Sequence, residues 1–153
     1  MRALGVDYGR KRIGLALSDA SGTLARPWKT IDGSADPGRA ARSLSDVVLA
    51  LEQQDEAVAV VVLGTPRRLS GEPNAQTATV AKIGELLQRL VAVPVILQDE
   101  RLSSHEAEAL LARREKDWRK RKALLDAMAA AVILQDYLDA QARLRMRAED
   151  ERT

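Results

Sequence analysis

Three acidic residues stand where their carboxylates could bind a metal ion. Asp7 and Glu100 each follow a short apolar run, and Asp126 lies in the segment Leu-Asp-Ala-Met-Ala-Ala-Ala. Converging carboxylates without counter-charges repel one another, and a hard divalent cation makes such a cluster favourable. Oxygen ligands without His or Cys suit Mg²⁺ or Mn²⁺, so we expect one of these ions. Taken singly, Asp7 also suits a turn and Asp126 a helix cap.

The composition excludes several other kinds of site. The chain has 153 residues, no cysteine and one histidine, His105. A disulfide framework, a thiolate zinc site, a cysteine nucleophile and a His-rich metal centre are therefore excluded. A length of 153 residues predicts one domain with its own core. No apolar run is long enough to span a membrane and no leader is evident, so we expect a cytoplasmic protein.

Basic residues are grouped, although the net charge is only +2. The groups are 10–12, 67–68 and 113–122, the last including Trp118 in a highly charged stretch. Local basic groups of this kind suit an anionic partner bound at one face, and they also suit an ordinary solvated surface.

The segment 3–19 predicts a β-hairpin that carries Asp7. Apolar residues alternate with small or polar ones on either side of a turn at 9–12, where we expect Gly9 to use its freedom to adopt positive φ. Gly5 and Gly9 flank Asp7 on its own face of the strand, which leaves room for an ion, a phosphate or another backbone. Tyr8 is expected to face the opposite way and pack.

The rest of the chain predicts alternating strands and helices. A third strand at 23–31 contains Pro27, which suits a sheet edge. Further on, the periodicity predicts helices at 38–54 and 77–91 and strands buried on both faces at 57–63 and 93–97. The final part predicts a helix from Ser103 or Ser104 to 114, a charged mobile loop at 115–122, and a last helix at 123–138 that can extend into the charged tail.

This order predicts an α/β fold with a mixed five-stranded sheet, three antiparallel strands followed by two parallel ones, flanked by helices. Such sheets bind ligands at the carboxyl ends of their parallel strands, where Asp7 and Glu100 would share one crevice. Ala129 and Ala130 share a helical side with Asp126, so the last helix can lie close to the sheet and bring the third carboxylate within reach.

Four blocks of sequence together resemble the YqgF/RuvX family of the ribonuclease H-like superfamily. They are Gly5-Val6-Asp7-Tyr8-Gly9, then Gly64-Thr65-Pro66 with Gly71, then the run from Asp99 to Ser104, and finally the run from Asp126 to Asp139. The chain departs from the family pattern at Thr65, at Arg67-Arg68 and at the Ser103-Ser104 pair. This family is described as Holliday junction resolvases and as nucleases of pre-16S ribosomal RNA.

The resemblance implies a two-metal-ion nuclease in which Asp7, Glu100 and Asp126 hold two Mg²⁺ or Mn²⁺ ions and hydrolyse phosphodiester bonds. Asp7, on a central strand between glycines, would bridge the ions. Trp118 would either stack on a base or close the core beneath its loop. The residues expected to contact nucleic acid are Arg10, Lys11, Arg12, Arg67, Arg68, Arg101, Trp118, Arg119, Lys120, Arg121 and Lys122.

Several alternatives remain open from the sequence. The preferred substrate is Holliday junction DNA, with the 5′ end of pre-16S rRNA as the alternative, because branched DNA and structured RNA are recognised largely through backbone shape. An actin-like ATP-binding fold and a non-catalytic nucleic-acid-binding protein are the rivals of other classes. We expect a nuclease domain at 1–140, a helical or disordered extension at 141–153, and a homodimer that joins through the last helix or the strand around Trp28.

Overall fold

The computed structural model describes residues 1–66, 76–100 and 118–153, with the side chains of residues 100 and 118–123 outside the description. The expected loop at 67–75 and the expected helix between residues 103 and 114 lie outside the described residues. The described elements are β1 (Arg2–Asp7), β2 (Arg12–Ser18), β3 (Ala25–Asp32), α1 (Pro37–Gln53), β4 (Val58–Pro66), α2 (Thr77–Leu90), β5 (Val95–Glu100) and α3 (Trp118–Arg152).

The five strands form one mixed sheet in the order β3-β2-β1-β4-β5. The hairpin pairs β1 with β2 antiparallel, and β2 pairs antiparallel with β3. β1 and β4 are parallel, as are β4 and β5. This arrangement confirms the predicted architecture, including the position of β3 at an edge.

Two apolar layers cover the two faces of the sheet. Alternate residues of β1, such as Leu4 and Val6, pack with α1 and α2 in one buried cluster. On the other face, Ala3, Ala16 and Val62 pack against α3. The residues that α3 contributes to this second cluster are Ala130, Ile133, Leu134 and Leu138. A strand presents successive side chains to opposite faces, so this division assigns each residue of β1 to one layer or the other.

Three details of the sequence prediction are corrected. The sequence predicts a β5 covered on both faces, but Leu97 is 46% exposed. Among the described strands, β5 lies at the sheet edge and pairs with β4 alone. Glu100 is the last residue of β5 rather than a residue beyond it. The expected loop at 115–122 is wrong from Trp118 onward, because α3 begins there and continues without interruption to Arg152.

The predicted role of Gly9 is also wrong. Among the glycines of the described part of the chain, Gly22 has positive φ, at 72°, and Gly9 does not. A Cβ atom on Gly9 would instead lie 2.4 Å from the carbonyl oxygen of Arg12. Glycine is therefore needed at position 9 because the hairpin backbone closes tightly on itself.

The turn between β2 and β3 is organised by the carboxylate of Asp19. Its Oδ2 accepts a hydrogen bond of 2.6 Å from the Ser21 hydroxyl, and its Oδ1 accepts bonds from the backbone N–H groups of Thr23 and Leu24. The Ser21 hydroxyl and these two amides lower the pKa of Asp19 from 3.8 to about 2. Such bonds favour the charged form of the carboxyl group.

We expect the turn to weaken only under strongly acidic conditions. A lowered folded-state pKa contributes stability that is fully present above pH 3.8 and is lost as the pH falls toward 2. A carbon-detected NMR titration should give Asp19 a midpoint near 2, and Ser21→Ala should raise it. A midpoint at or above 3.8 in the wild-type protein would contradict these hydrogen bonds.

Within the three described ranges, no helix combines the length and apolar character needed to cross a membrane.

Candidate active site

The carboxyl ends of the three parallel strands lie at one edge of the sheet. Val6 pairs with Leu63, so the next row toward this edge contains Asp7 and Gly64. Gly64 pairs with Gln98, and Pro66 pairs with Glu100. Glu100 therefore lies two residues beyond the row of Asp7 in the direction of the strands. Its strand, β5, is separated from β1 by β4.

Asp7 lies on the face of the sheet that α3 covers. A Cβ atom on Gly5 would lie 2.7 Å from Leu134 Cβ and 2.8 Å from the carbonyl oxygen of Ala130, so α3 packs directly against that glycine. Asp7 follows two positions later and shares this face. Tyr8 faces the opposite layer, where it is buried in the core and its hydroxyl donates to the carbonyl of Ser34. The prediction that Tyr8 packs away from Asp7 is confirmed.

The space beside Gly5 is filled by α3, through the Leu134 side chain and the backbone carbonyl of Ala130. Of the three occupants expected from sequence (an ion, a phosphate or another backbone), the structure shows the last at this position. The buried Ala129 and Ala130 permit this approach, in agreement with the prediction that small residues let the last helix lie close to the sheet.

Gly14 brings Asp126 to Asp7. On the hairpin, Asp7 pairs with Gly14, and paired Cα atoms in such a ladder lie about 4.5–5.5 Å apart. A Cβ atom on Gly14 would lie 1.9 Å from the carbonyl oxygen of Asp126 and 2.1 Å from its carbonyl carbon. The backbone of Asp126 thus rests on the residue directly across from Asp7, although 119 sequence positions separate the two aspartates, from 7 to 126.

The Asp126 carboxylate forms an ion pair with Arg12. The Arg12 Nε donates to Asp126 Oδ2 at 2.9 Å, and the two side chains are 38% and 26% exposed. Arg12 precedes Gly14 by two residues on β2, so its side chain extends along the same face. An ion pair this exposed contributes at most about 1 kcal/mol to stability.

The described side chains contain part of the expected metal-binding set. Among them, no group of three or more His, Cys, Asp or Glu residues could hold a metal ion. Asp7 and Asp126 are described and Glu100 is placed by its backbone alone, so the assignment of the three as ligands stays a prediction. The two described carboxylates supply oxygen ligands of the kind that a hard cation requires.

The predicted nucleic-acid contacts fall into three groups. Arg10 and Lys11 lie exposed in the hairpin turn, next to the carboxyl edge of the sheet. Arg12 pairs with Asp126 instead of extending freely into solvent. The remaining residues are Arg67, Arg68 and Arg101, outside the described residues, and positions 118–122 in the first turns of α3, whose side chains are not described.

Comparison with known proteins assigns the family. The model described as "RuvX: Holliday junction resolvase" matches residues 1–140. The chain belongs to the RuvX family. A relative from Caldanaerobacter subterraneus subsp. tengcongensis is 39% identical over 144 residues, covering 92% of this chain and 98% of the relative. Another from Nocardioides sp. is 41% identical over 140 residues, covering 90% and 87%. Each is named "Putative pre-16S rRNA nuclease".

Solved structures agree on the fold of this RuvX member. Thermus thermophilus RuvC in complex with a Holliday junction substrate matches with a TM-score of 0.52 at 17% identity, covering 93% of this chain and 96% of that one. The fowlpox virus Holliday junction resolvase gives 0.52 at 14% identity, covering 92% and 99%. At these identities the likeness shows the shared fold, and it confirms the predicted ribonuclease H-like fold.

Sequence reasoning missed two contributors to the candidate site, Gly14 and the pairing of Arg12 with Asp126. Gly14 could have been found from the sequence, because it is a residue without a side chain between the apolar Ile13 and Leu15 of the predicted strand. Nothing in the local sequence indicated that Arg12 would meet Asp126, since the two residues lie 114 positions apart.

Proposed function

We propose that this RuvX protein is a metal-dependent nuclease that hydrolyses phosphodiester bonds in structured nucleic acid, with Asp7, Glu100 and Asp126 as its metal ligands. One observation carries the proposal: the contact of Gly14 with Asp126, directly across from Asp7. It brings two aspartates that are distant in sequence to the carboxyl end of the parallel strands, where Glu100 is the last residue of β5. A convergence of carboxylates at one place supplies the oxygen ligands that a divalent cation requires.

The chemistry of the ligand set supports divalent cations. Bound Mg²⁺ or Mn²⁺ ions would activate the attacking water and stabilise charge on the leaving oxygen of an in-line displacement. The chain's own part is to hold the carboxylates in place before substrate arrives. Asp7 is held by a central strand, Asp126 by the backbone contact with Gly14, and Glu100 by the final pairing of β5 with β4.

Nucleic acid binding would draw on the basic residues around this edge. Arg10 and Lys11 lie exposed beside the site and would neutralise phosphates, the contribution that dominates nucleic-acid affinity. We include Arg12, Arg67, Arg68, Arg101, Trp118 and residues 119–122 in the same proposed surface.

The first candidate substrate is the precursor of 16S rRNA, which would place the protein in ribosome biogenesis. The relatives with 39% and 41% identity carry that activity in their names. This reverses the order of preference drawn from the sequence. The second candidate is the Holliday junction, and with it DNA recombination and repair, because the matching family model is described as a resolvase.

A side-by-side cleavage assay tests the proposal. We expect cleavage of a structured RNA that spans the 5′ end of 16S rRNA in Mg²⁺ or Mn²⁺, weaker cleavage of a four-way DNA junction, and little of linear duplex DNA. Chelation with EDTA should abolish cleavage, and excess Mn²⁺ should restore it. Cleavage that persists in EDTA, or cleavage of none of the three substrates, would contradict the proposed function.

Assembly separates the two candidate substrates. Paired cuts in a junction require two active sites at fixed separation, most simply in a C₂ homodimer, whereas one site suffices for an RNA end. We expect sedimentation to show a dimer if junction resolution is the function. Symmetric paired nicks by a protein that stays monomeric with and without substrate would break this link.

A further inference from the structure

The ion pair between Arg12 and Asp126 joins two residues that each have a different proposed role in the site. Asp126 is a proposed metal ligand, yet its Oδ2 accepts a bond from the Arg12 Nε at 2.9 Å. Arg12 is a proposed phosphate contact, yet it is held by a carboxylate. The ion pair conflicts with metal binding by Asp126 and with phosphate binding by Arg12 only if it has to persist while these ligands are bound.

Charge decides whether Arg12 supports or opposes cation binding at Asp126. Holding the carboxylate in one rotamer would help a metal to bind. A guanidinium in direct contact with the same carboxylate repels a divalent ion only a few ångströms away. Repulsion between a divalent and a monovalent cation at such a distance exceeds the gain from fixing one short side chain. Arg12 should therefore lower the affinity of Asp126 for a metal.

The pair is also suited to exchange. The Arg12 side chain is 38% exposed, so it can turn toward a ligand in solvent without leaving a buried charge behind. Its neighbours in the turn, Arg10 and Lys11, are exposed and belong to the proposed substrate surface. A phosphate attracted by those two residues comes within reach of Arg12.

We propose that Arg12 is the counter-ion of Asp126 in the cation-free protein and passes to a substrate phosphate when a divalent cation takes its place. Arg12 is thus a positioning residue that couples cation binding to nucleic-acid binding. The inference rests on the proposed function, since it takes Asp126 as a metal ligand. By linkage, a cation that releases Arg12 must tighten nucleic-acid binding, and nucleic acid must tighten cation binding by the same factor.

The first test measures Mn²⁺ binding to the protein alone, by electron paramagnetic resonance of free Mn²⁺. We expect Arg12→Gln to bind Mn²⁺ roughly threefold to tenfold more tightly than wild type, because a competing positive charge is lost. Lys11→Gln is the matched control, since it removes one positive charge from the adjacent, exposed position. Its Mn²⁺ affinity should stay within about twofold of wild type, because solvent screens a charge that does not touch the carboxylate.

The second test measures nucleic-acid binding with and without Ca²⁺, using a labelled structured RNA and a labelled four-way DNA junction in parallel. For each nucleic acid, the readout is the affinity with Ca²⁺ divided by the affinity without Ca²⁺, which is the Ca²⁺ enhancement. Arg12→Gln should reduce the Ca²⁺ enhancement by about threefold or more, because no side chain is released by the cation. Lys11→Gln should weaken binding in both conditions and leave the ratio unchanged.

The possible outcomes are distinguishable. If Asp7→Asn abolishes Mn²⁺ binding while Arg12→Gln binds Mn²⁺ as wild type does or more weakly, the exchange is wrong and the proposed function stands. If Asp7→Asn leaves Mn²⁺ binding unchanged, the proposed function itself fails. Arg12→Met serves as a second neutral variant. An exchangeable pair cannot be required for folding, so failure of both variants to fold, with or without Mn²⁺, would also overturn the inference.

Discussion

Replacing Asp7 with asparagine is expected to lower the rate of phosphodiester cleavage by roughly a thousandfold, since a lost metal ligand removes several kcal/mol of transition-state stabilisation. Asparagine keeps the size of aspartate and one carbonyl oxygen but loses the negative charge. Asp7 is half-buried at the end of a central strand, and we expect its isosteric replacement to leave the fold intact. Single-turnover cleavage in Mn²⁺, with circular dichroism of the same sample, measures the two effects.

Asp139→Asn is the matched control for this experiment. Asp139 is exposed on α3 and accepts a hydrogen bond of 3.0 Å from the Gln135 side chain. The same chemical change at this position, well along the helix from Asp126, should leave the cleavage rate within about twofold of wild type, as for most surface substitutions. Near-full activity of Asp7→Asn would remove Asp7 from the metal site.

Replacing Gly14 with alanine is expected to produce the largest loss of stability of any single methyl addition in the described part of the chain. The new Cβ would lie 1.9 Å from the carbonyl oxygen of Asp126, and that neighbour is helix backbone that cannot rotate away. Overpacking against a rigid neighbour costs about 3 kcal/mol, which corresponds to about 6–12 °C in Tm. Cleavage should fall as well, since α3 must shift and carry Asp126 away from Asp7.

Gly38→Ala provides the control for Gly14→Ala. A Cβ atom on Gly38 would lie 3.6 Å from the nearest heavy atom, Asp36 Oδ1, which is an ordinary contact. Gly38 is the second residue of α1, where alanine is favoured over glycine by up to about 1 kcal/mol. Urea denaturation should show this variant to be as stable as wild type or more so. Equal stability of the two alanine variants would mean that α3 does not pack on β2 as described.

The two experiments test different parts of the proposed function. Asp7→Asn tests the chemistry of a carboxylate while the fold is kept. Gly14→Ala tests whether the helix–strand contact is what holds Asp126 in place. If Gly14→Ala lost stability but kept full cleavage, Asp126 would be excluded as a ligand, because its position would have moved without effect.

Local sequence was sufficient to predict the order of the elements and the layers they form. Alternation in β1 and β2 predicted the hairpin, and the β-branched run in β4 predicted a strand covered on both faces. The helical stripes of α1 and α2 predicted the layer that buries Val6 and Leu63. These features follow from periodicities of two or 3.6 residues, which a short window of sequence contains in full.

Other features depended on which elements became neighbours. The run in β5 resembles that in β4, yet β5 is partly exposed because it lies at the sheet edge. The charged stretch from Trp118 was predicted as a loop. It is helical because it continues into α3, whose apolar face is packed against the sheet, and tertiary packing of that kind outweighs a local preference.

For the candidate site, the residue types could be read from the sequence alone: carboxylates at Asp7, Glu100 and Asp126, and several groups of basic residues. The fold was needed to show that the Asp126 backbone contacts Gly14 across from Asp7, and that Arg12 pairs with the Asp126 carboxylate. Both contacts of Asp126 join residues more than a hundred positions apart in the sequence. They form because α3 approaches β2 closely at Gly14, where there is no side chain, and a short window of sequence cannot show which distant helix will make that approach.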